Sequence, residues 1–464
     1  MKILKKTTVK VAVSGLMLLS AGFASGSEAE AITVKEAVEK AVNNNPEIKA
    51  RFHAFRDVYE EQQVAKGGYY PKIDLSAGIG REVLQGDKIS STNMWRKDVR
   101  LDLNQMLFDG FFTCNQVCSL KYSGQARYFE FMDTVENVGL ESIRAYVDVL
   151  RYREMVNLAK RNLDYHKEIF SQVSSRVKAG VGAGVDLQQI SARVALAQAN
   201  YLTELSNLND VKARYQRYTG EVPDENMQAV LLPDDGIPAA TRDVLNNAYQ
   251  HNSGFLATMS DINSARHSVK VQESKLYPRI DLKAWHDHSW DMLGVEGQQS
   301  ASVAEVALTY NIFNGGSNRA AVHQYREKMF RAIDLKDKAA NDIRQAVAIA
   351  CNDRRMIAEQ IVYLNQHRKN LDEVRVAYRD QFNIGKRTLL DLLDTENEYY
   401  QAQRAYYNGF FDLTITNAKT LALMGRLMST IGVVRAEMPS LKDIDVPFPD
   451  VTESDIPSTD TPAL

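Results

Sequence analysis

The chain has 464 residues, with 25% charged, 44% hydrophobic, three cysteines and a formal net charge of −3. A balance this close to neutral excludes a strongly basic surface, so no nucleic-acid partner is expected. The length leaves room for two or three ordinary domains, and an odd cysteine count excludes a complete disulfide framework.

The chain opens with a basic head (Lys2, Lys5, Lys6, Lys10), an apolar run VAVSGLMLLSAGFA from Val11 to Ala24, and Ala29-Glu30-Ala31. This is the pattern of a secretory signal peptide over residues 1–31, whose removal leaves a mature chain of charge −5. No cysteine sits near the expected cut, so no lipid anchor is expected. No later apolar run is long enough for a membrane helix, which leaves a soluble protein or one that crosses a membrane with strands.

Two copies of one unit follow. YYPKIDLSAG (Tyr69 to Gly78) matches LYPRIDLKAW (Leu276 to Trp285) at an offset of 207, and LFDG (Leu107 to Gly110) matches IFNG (Ile312 to Gly315) at 205. Gly180 and Asp186 pair with Gly385 and Asp391, again at 205. A nearly constant offset over this span is a tandem duplication. It divides the chain into a first repeat over 32–225, a linker over 226–240, a second repeat over 241–432 and a tail over 433–464.

In the first repeat an opening helix runs from Thr33 to about Lys66 and stops at Gly67-Gly68. Strands are expected at about 70–82 and 95–108, because Ile73, Leu75, Ala77 and Ile79 alternate with Lys72, Asp74, Ser76 and Gly78, and Val99, Leu101 and Leu103 with Arg100, Asp102 and Asn104. The polar segment from Leu84 to Asn93 reads as a loop. No proline falls between Gly110 and Gly220, so long helices can run over about 110–178 and 186–220. Cys114 and Cys118 lie one helical turn apart with no further ligand at metal spacing, so they read as small apolar fillers.

The second repeat reads the same way. Strands are expected at about 277–289 and 300–313 with a loop from Trp290 to Ser300, and long helices at about 316–384 and 388–428. His286-Asp287-His288, between Trp285 and Trp290, reads as an exposed loop at the outer end of a strand. Ile357, Ile361, Leu364, Leu371, Val374 and Tyr378 keep the spacing of a coiled-coil seam. The acidic, proline-rich tail is expected to be disordered or to wrap loosely on the helices.

Strands that are apolar on one face and charged on the other fit a membrane barrel, although a soluble antiparallel sheet alternates too. In lipid every backbone amide must be paired, and four strands cannot close on themselves. The chain must then associate, and three copies give a twelve-stranded wall.

The stretch FNIGKRTLLDLLD (Phe382 to Asp394) joins the last two long helices, with VKAGVGAGVDLQQ (Val177 to Gln189) as its counterpart. Gly385 supplies a left-handed residue, Thr388 a cap, and Asp391 the third residue of a capping box. Capping does not require Asp394, one turn further on. In a three-fold assembly the two aspartates become stacked rings, whose repulsion raises some of their pKa values and invites cation block. Gly180, Gly182 and Gly184 make the first turn flexible. There is no phosphate loop, nucleophile elbow or zinc-protease motif, so neither an enzyme nor a cofactor is expected.

The duplicated unit, the YPxIDL strand starts, the LFDG and IFNG strand ends and FNIGKRTLLDLLD resemble the TolC outer-membrane exit ducts over about Ile32 to Gly432. The resemblance implies a mainly α protein with a transmembrane β-barrel part: a homotrimer with a twelve-stranded barrel in the cell outer membrane and a twelve-helix barrel in the periplasm. It implies as partners a periplasmic adaptor and an inner-membrane ABC or RND-type pump, with outer-membrane lipid around the barrel. Asp391 and Asp394 match the acidic constriction, and Arg387 and Asp186 match polar groups that tie neighbouring hairpins together. The tip turns with Gly180, Gly182, Gly184, Gly385 and Thr388 match the adaptor-contacting end. Two departures thin this network: Phe382 stands where the family has a tyrosine, and Val185 where it has a threonine. The wording resembles the branch serving type I protein secretion, with multidrug efflux as the alternative and a soluble periplasmic coiled-coil scaffold as the rival class. The cargo is not legible.

Overall fold

The computed structural model describes residues 32–86, 89–230, 236–433, 447–449, 451–452 and 455–456; the expected signal peptide lies outside them, as do parts of the linker and tail. Helices α1 (Val34–Asn44) and α2 (Pro46–Lys66) lead into strands β1 (Lys72–Gly86) and β2 (Ile89–Phe108), then helices α3 (Phe112–Lys178) and α4 (Gly184–Thr219). The order repeats as α5 (Thr241–His251), α6 (Ser253–Glu273), β3 (Arg279–Met292), β4 (Val295–Thr309), α7 (Ser317–Asn383) and α8 (Leu389–Leu423), closed by a short α9 (Leu427–Ile431). Helices α1 and α5 both have 11 residues, α2 and α6 both 21, and α3 and α7 both 67, so the duplication is visible in the element lengths. At 1.5 Å per residue α3 and α7 are rods about 100 Å long.

Several local expectations are corrected. The opening helix is broken at Asn45, which closes α1 and caps α2 by accepting the Glu47 N–H at 2.8 Å. Asn252 makes the same break in the second half without a following proline, so the extended asparagine cap, not Pro46, is the shared cause. Gly67 and Gly68 do not stop α2 with a left-handed residue; Gly67–Tyr69 forms a 3-10 turn. Gly68 packs closely, since a Cβ there would lie 3.1 Å from the Thr113 side chain at the start of α3, which would have to give way by a few tenths of an ångström. The segments 84–93 and 290–300 are largely strand, because the ladder is a backbone property and continues through polar residues once they stand clear of the apolar band. His286, Asp287 and His288 therefore lie inside β3, not in a loop, and β4 ends at Thr309, short of 313.

The LFDG motif is a strand-to-helix corner. Gly110 and Phe111 both have a φ of 66°, and the Asp109 carboxylate accepts the Thr113 N–H at 2.9 Å, capping α3. A Cβ on Gly110 would lie 2.6 Å from the Ser274 carbonyl oxygen, so only glycine fits.

The sheet runs β1-β2-β3-β4, all antiparallel. One face carries Ile73, Leu75, Ile79, Val99, Leu101, Val306 and Leu308, all exposed within the protomer. The other face is charged and internally paired, with Arg100–Asp102 at 2.8 Å, Arg96–Asp98 at 3.0 Å and Arg279–Asp281 at 2.8 Å. The outer edges of β1 and β4 have no partner among the described residues.

In the helical part α3 is flanked by α2 and α6 near the sheet and by α4 and α8 further away, and α7 packs on α6 and then α8. Around its waist, α1, α5 and α9 bury Val38, Val42, Val244, Tyr249 and Leu427 against Phe131, Ile143, Ile343 and Val347 of the long helices. Part of the expected disordered tail docks here. Phe448 meets Phe129 edge-on at 5.6 Å, the Gln125 amide donates to the Pro447 carbonyl at 2.8 Å, and Asp455 lies 3.8 Å from the Lys336 ammonium.

The waist also buries Glu136, whose carboxylate accepts the Met428 N–H at 3.4 Å. Burial pushes its carboxyl up to about 7, against the opposing pull of the Met428 and Leu427 N–H groups. A carboxyl raised above its unfolded value costs nothing below that value, and its penalty grows as pH climbs through the window from about 4.5 to about 7. Glu136→Gln, which keeps an acceptor without the charge, is expected to stabilise the protein by about 1–3 kcal/mol at pH 8 and little at pH 4.5. Unfolding of the detergent-solubilised protein across that pH range checks it.

Candidate functional site

The far ends of the hairpins α3–α4 and α7–α8 carry the residues singled out in the sequence. Gly385 has a φ of 76°, and the Lys386 N–H returns to the Gln381 carbonyl at 2.8 Å, closing α7. Thr388 starts α8 with a complete capping box: its hydroxyl accepts the Asp391 N–H at 3.2 Å, and the Asp391 carboxylate accepts the Thr388 hydroxyl at 2.8 Å and N–H at 3.2 Å. Those bonds, reinforced by Arg387 with its Nη1 3.9 Å away, hold the Asp391 carboxyl below the usual carboxylate range within a protomer.

The first turn is built differently. Gly180 has a φ of 78°, a Cβ on Gly182 would come within 2.9 Å of Val177, and Gly184 meets neither constraint. Ala183 gives α4 no side-chain cap, so the counterpart of Thr388 is missing and Asp186 is left without a capping bond. Within one protomer Arg387 does not reach Asp186. Its Nε donates to the Gln381 side chain at 3.0 Å, and its guanidinium stacks 4.1 Å from the Tyr378 ring.

Asp394 is exposed, and its carboxylate pairs with Arg193 of α4 at 2.7 Å. That pair was not foreseen, and it is one of four that join the first hairpin to the second. The others are Glu168–Arg379 at 2.9 Å, Arg404–Glu204 at 2.6 Å and Arg151–Asp412 at 2.6 Å. Their partners are 200 to 261 residues apart in sequence, and no local spacing announces them. Between these rungs and the hairpin tips lies an apolar cluster of Ile169, Val173, Ile190, Phe382, Leu389, Leu392 and Leu393. Phe382 is 7% exposed and stacks under Arg176, so a ring without a hydroxyl is used here as packing. Val185, by contrast, is 76% exposed.

The profile of the outer membrane efflux protein family matches residues 37–221 and 244–426, one stretch per repeat. The chain belongs to this family. It is 26% identical over 422 residues to the outer membrane efflux protein BepC of Brucella suis, covering 90% of this chain and 91% of that one. It is 22% identical to the outer membrane protein TolC of Escherichia coli, covering 88% and 84%. Relatives 21% and 20% identical are named for alkaline protease secretion (AprF) and pyoverdine export (OpmQ), both of Pseudomonas aeruginosa. The solved CmeC outer membrane channel of Campylobacter jejuni superposes with a TM-score of 0.77 at 15% identity, over 93% of this chain and 96% of that one. The protein is thus a TolC-like outer-membrane channel that extends into the periplasm, and it is not an enzyme. Channels of this kind are homotrimers that work with periplasmic adaptors and inner-membrane pumps.

The rungs differ in burial, and burial sets their energies. Glu204 is 3% exposed, so Arg404→Met strands a buried carboxylate and is expected to cost about 3 kcal/mol. Arg379→Met removes half of an exposed pair and is expected to cost under about 1 kcal/mol. Thermal unfolding of the two variants, followed by helical circular dichroism, checks the difference.

Proposed function

We propose that this channel is the exit duct of a type I secretion machine, passing protein from an inner-membrane pump and periplasmic adaptor to the exterior. The observation that carries the conduit reading is the pairing of a four-stranded sheet with open edges to 67-residue helices that continue from it. The protein-cargo reading is supported by relatives named for protease secretion, while BepC and OpmQ support export of smaller molecules as the second reading.

In this reading the duct is closed at the hairpin tips, where Asp391 and Asp394 line the constriction. Arg387 and Asp186 meet across neighbouring protomers, since they do not meet within one. The turns at Gly180, Gly182, Gly184, Gly385 and Thr388 are the surface the adaptor engages. Arg193 compensates Asp394 at 2.7 Å more closely than Arg387 compensates Asp391 at 3.9 Å, so Asp391 is taken as the larger contributor to the ring charge.

Deleting the chain is expected to remove specific proteins from the culture supernatant and leave susceptibility to small antibiotics nearly unchanged; the reverse pattern favours the efflux reading. In planar bilayers Asp391→Ala is expected to weaken block by multivalent cations more than Asp394→Ala, and the double variant most. Unchanged block in the double variant removes both residues from the pore. Arg387→Ser is expected to raise resting conductance, and an unaltered closed state removes it from the latch.

A further inference from the structure

The lipid-facing side of the sheet changes chemistry part-way up. From Ile73 to Ile79 on β1 and from Leu103 to Val99 on β2 it is aliphatic. From the level of Ile79 upward the register brings bases and indoles onto the same face, with Lys97 opposite Ile79 on one side and Trp290 on the other and Arg81 opposite Trp95; His288 and His286 of β3 lie lower, opposite Val99 and Leu101. His288 and Trp290 meet edge-on at 4.3 Å, and Trp95 is 61% exposed.

This patch holds no compensating charge. Arg81 donates from Nε to the neutral Asn93 side chain at 2.7 Å, and Lys97 makes no ion pair among the described residues. The positions paired on this face with Ile79, Arg81 and Val83 are Lys97, Trp95 and Asn93, and Lys97 continues the row to Trp290 and Gln298, with no carboxylate among them. Glu296 lies in the irregular stretch between Val295 and Gln298. Arg81 stands eight residues above Ile73, about 26 Å along the strand and about 20 Å of height at the usual barrel tilt. The apolar band of such barrels is about 25 Å tall, so Arg81 approaches its outer rim, with Lys97 and Trp290 one step lower, on the side away from the periplasmic helices. Cations facing acyl chains are costly unless an anion meets them there. The tryptophans mark the same level as an interface.

We propose that Arg81 and Lys97, framed by Trp95, Trp290 and His288, form a binding site for the phosphorylated sugar head of lipid A, the glycolipid of the outer leaflet. The guanidinium and ammonium groups donate to phosphate oxygens, and the indoles lie against the sugar and the first acyl carbons. Inorganic phosphate shares the anion chemistry but lacks acyl chains to hold it at this depth, so the glycolipid is the occupant. The inference rests on the barrel standing in the outer membrane and does not depend on what the duct exports.

The test uses the detergent-solubilised trimer titrated with bis-phosphorylated lipid A, dephosphorylated lipid A and inorganic phosphate. Native mass spectrometry counts bound lipid, and the heat-induced loss of the trimer band reports stabilisation. Bis-phosphorylated lipid A is expected to bind at one copy per protomer and raise the dissociation temperature, with neither effect from the other two probes. Arg81→Gln with Lys97→Gln is expected to weaken binding at least about tenfold while remaining a trimer of unchanged conductance. Lys97→Arg is expected to retain it. Equal binding by the double variant, or equal binding of dephosphorylated lipid A, overturns the proposal.

Discussion

Backbone amides in a hydrocarbon medium have no water to fall back on, and the rest of the structure depends on that constraint. Within one chain β2 and β3 are paired on both sides where they meet, over Lys97–Phe108 and Ile280–Trp290, but β1 and β4 present open edges beside an apolar face. In lipid each open amide costs several kcal/mol, so the four strands are a fragment that only neighbouring copies complete. The helical part has the matching property. Its open flanks, on α7 and on α2 with α4, expose Val362, Tyr363, Val376, Leu196 and Leu202, apolar surface that a second copy covers. One association satisfies both media: strand edges by hydrogen bonds in the membrane and helix flanks by apolar burial in the periplasm.

The hairpin tips show how a duplicated unit comes to do two things. Both turns close their first helix with a left-handed glycine, at Gly180 and at Gly385. Only the second adds a side-chain cap, and its capping aspartate is also one of the two aspartates proposed to line the constriction. The energy that holds the two hairpins together is unevenly placed. A buried apolar cluster that includes Phe382 sits beside ion pairs ranging from the nearly buried Glu204 to the exposed Glu168. Exposed pairs are weak and easily exchanged, whereas the cluster and the buried pair resist separation. Separation of the two hairpins would therefore begin at the exposed rungs.

Much of this was legible in the residues because the signals are local. The strand alternation at Ile73 to Ile79, the missing prolines over α3 and α7, and the Thr388–Asp391 capping box each need only neighbours in sequence. What was missed is either long-range or a property of the backbone ladder. The Arg193–Asp394 and Arg404–Glu204 pairs join residues about 200 positions apart. The strands' continuation through 84–86 and 89–93, and through 290–292 and 295–300 beyond His286 and His288, involves polar residues that give no apolar alternation. The break at Asn45 was carried by a side chain usable either as a cap or as an ordinary helix residue, and only its repetition at Asn252 identifies it.

The central claim is that the edges of β1 and β4 are paired by sister chains within the membrane. Hydrogen–deuterium exchange of the protein in lipid nanodiscs, read strand by strand, tests it most directly. The account predicts that amides along the outer edges of β1 and β4 exchange as slowly as those of β2 and β3. Fast exchange confined to those two edges, with β2 and β3 protected, would contradict it.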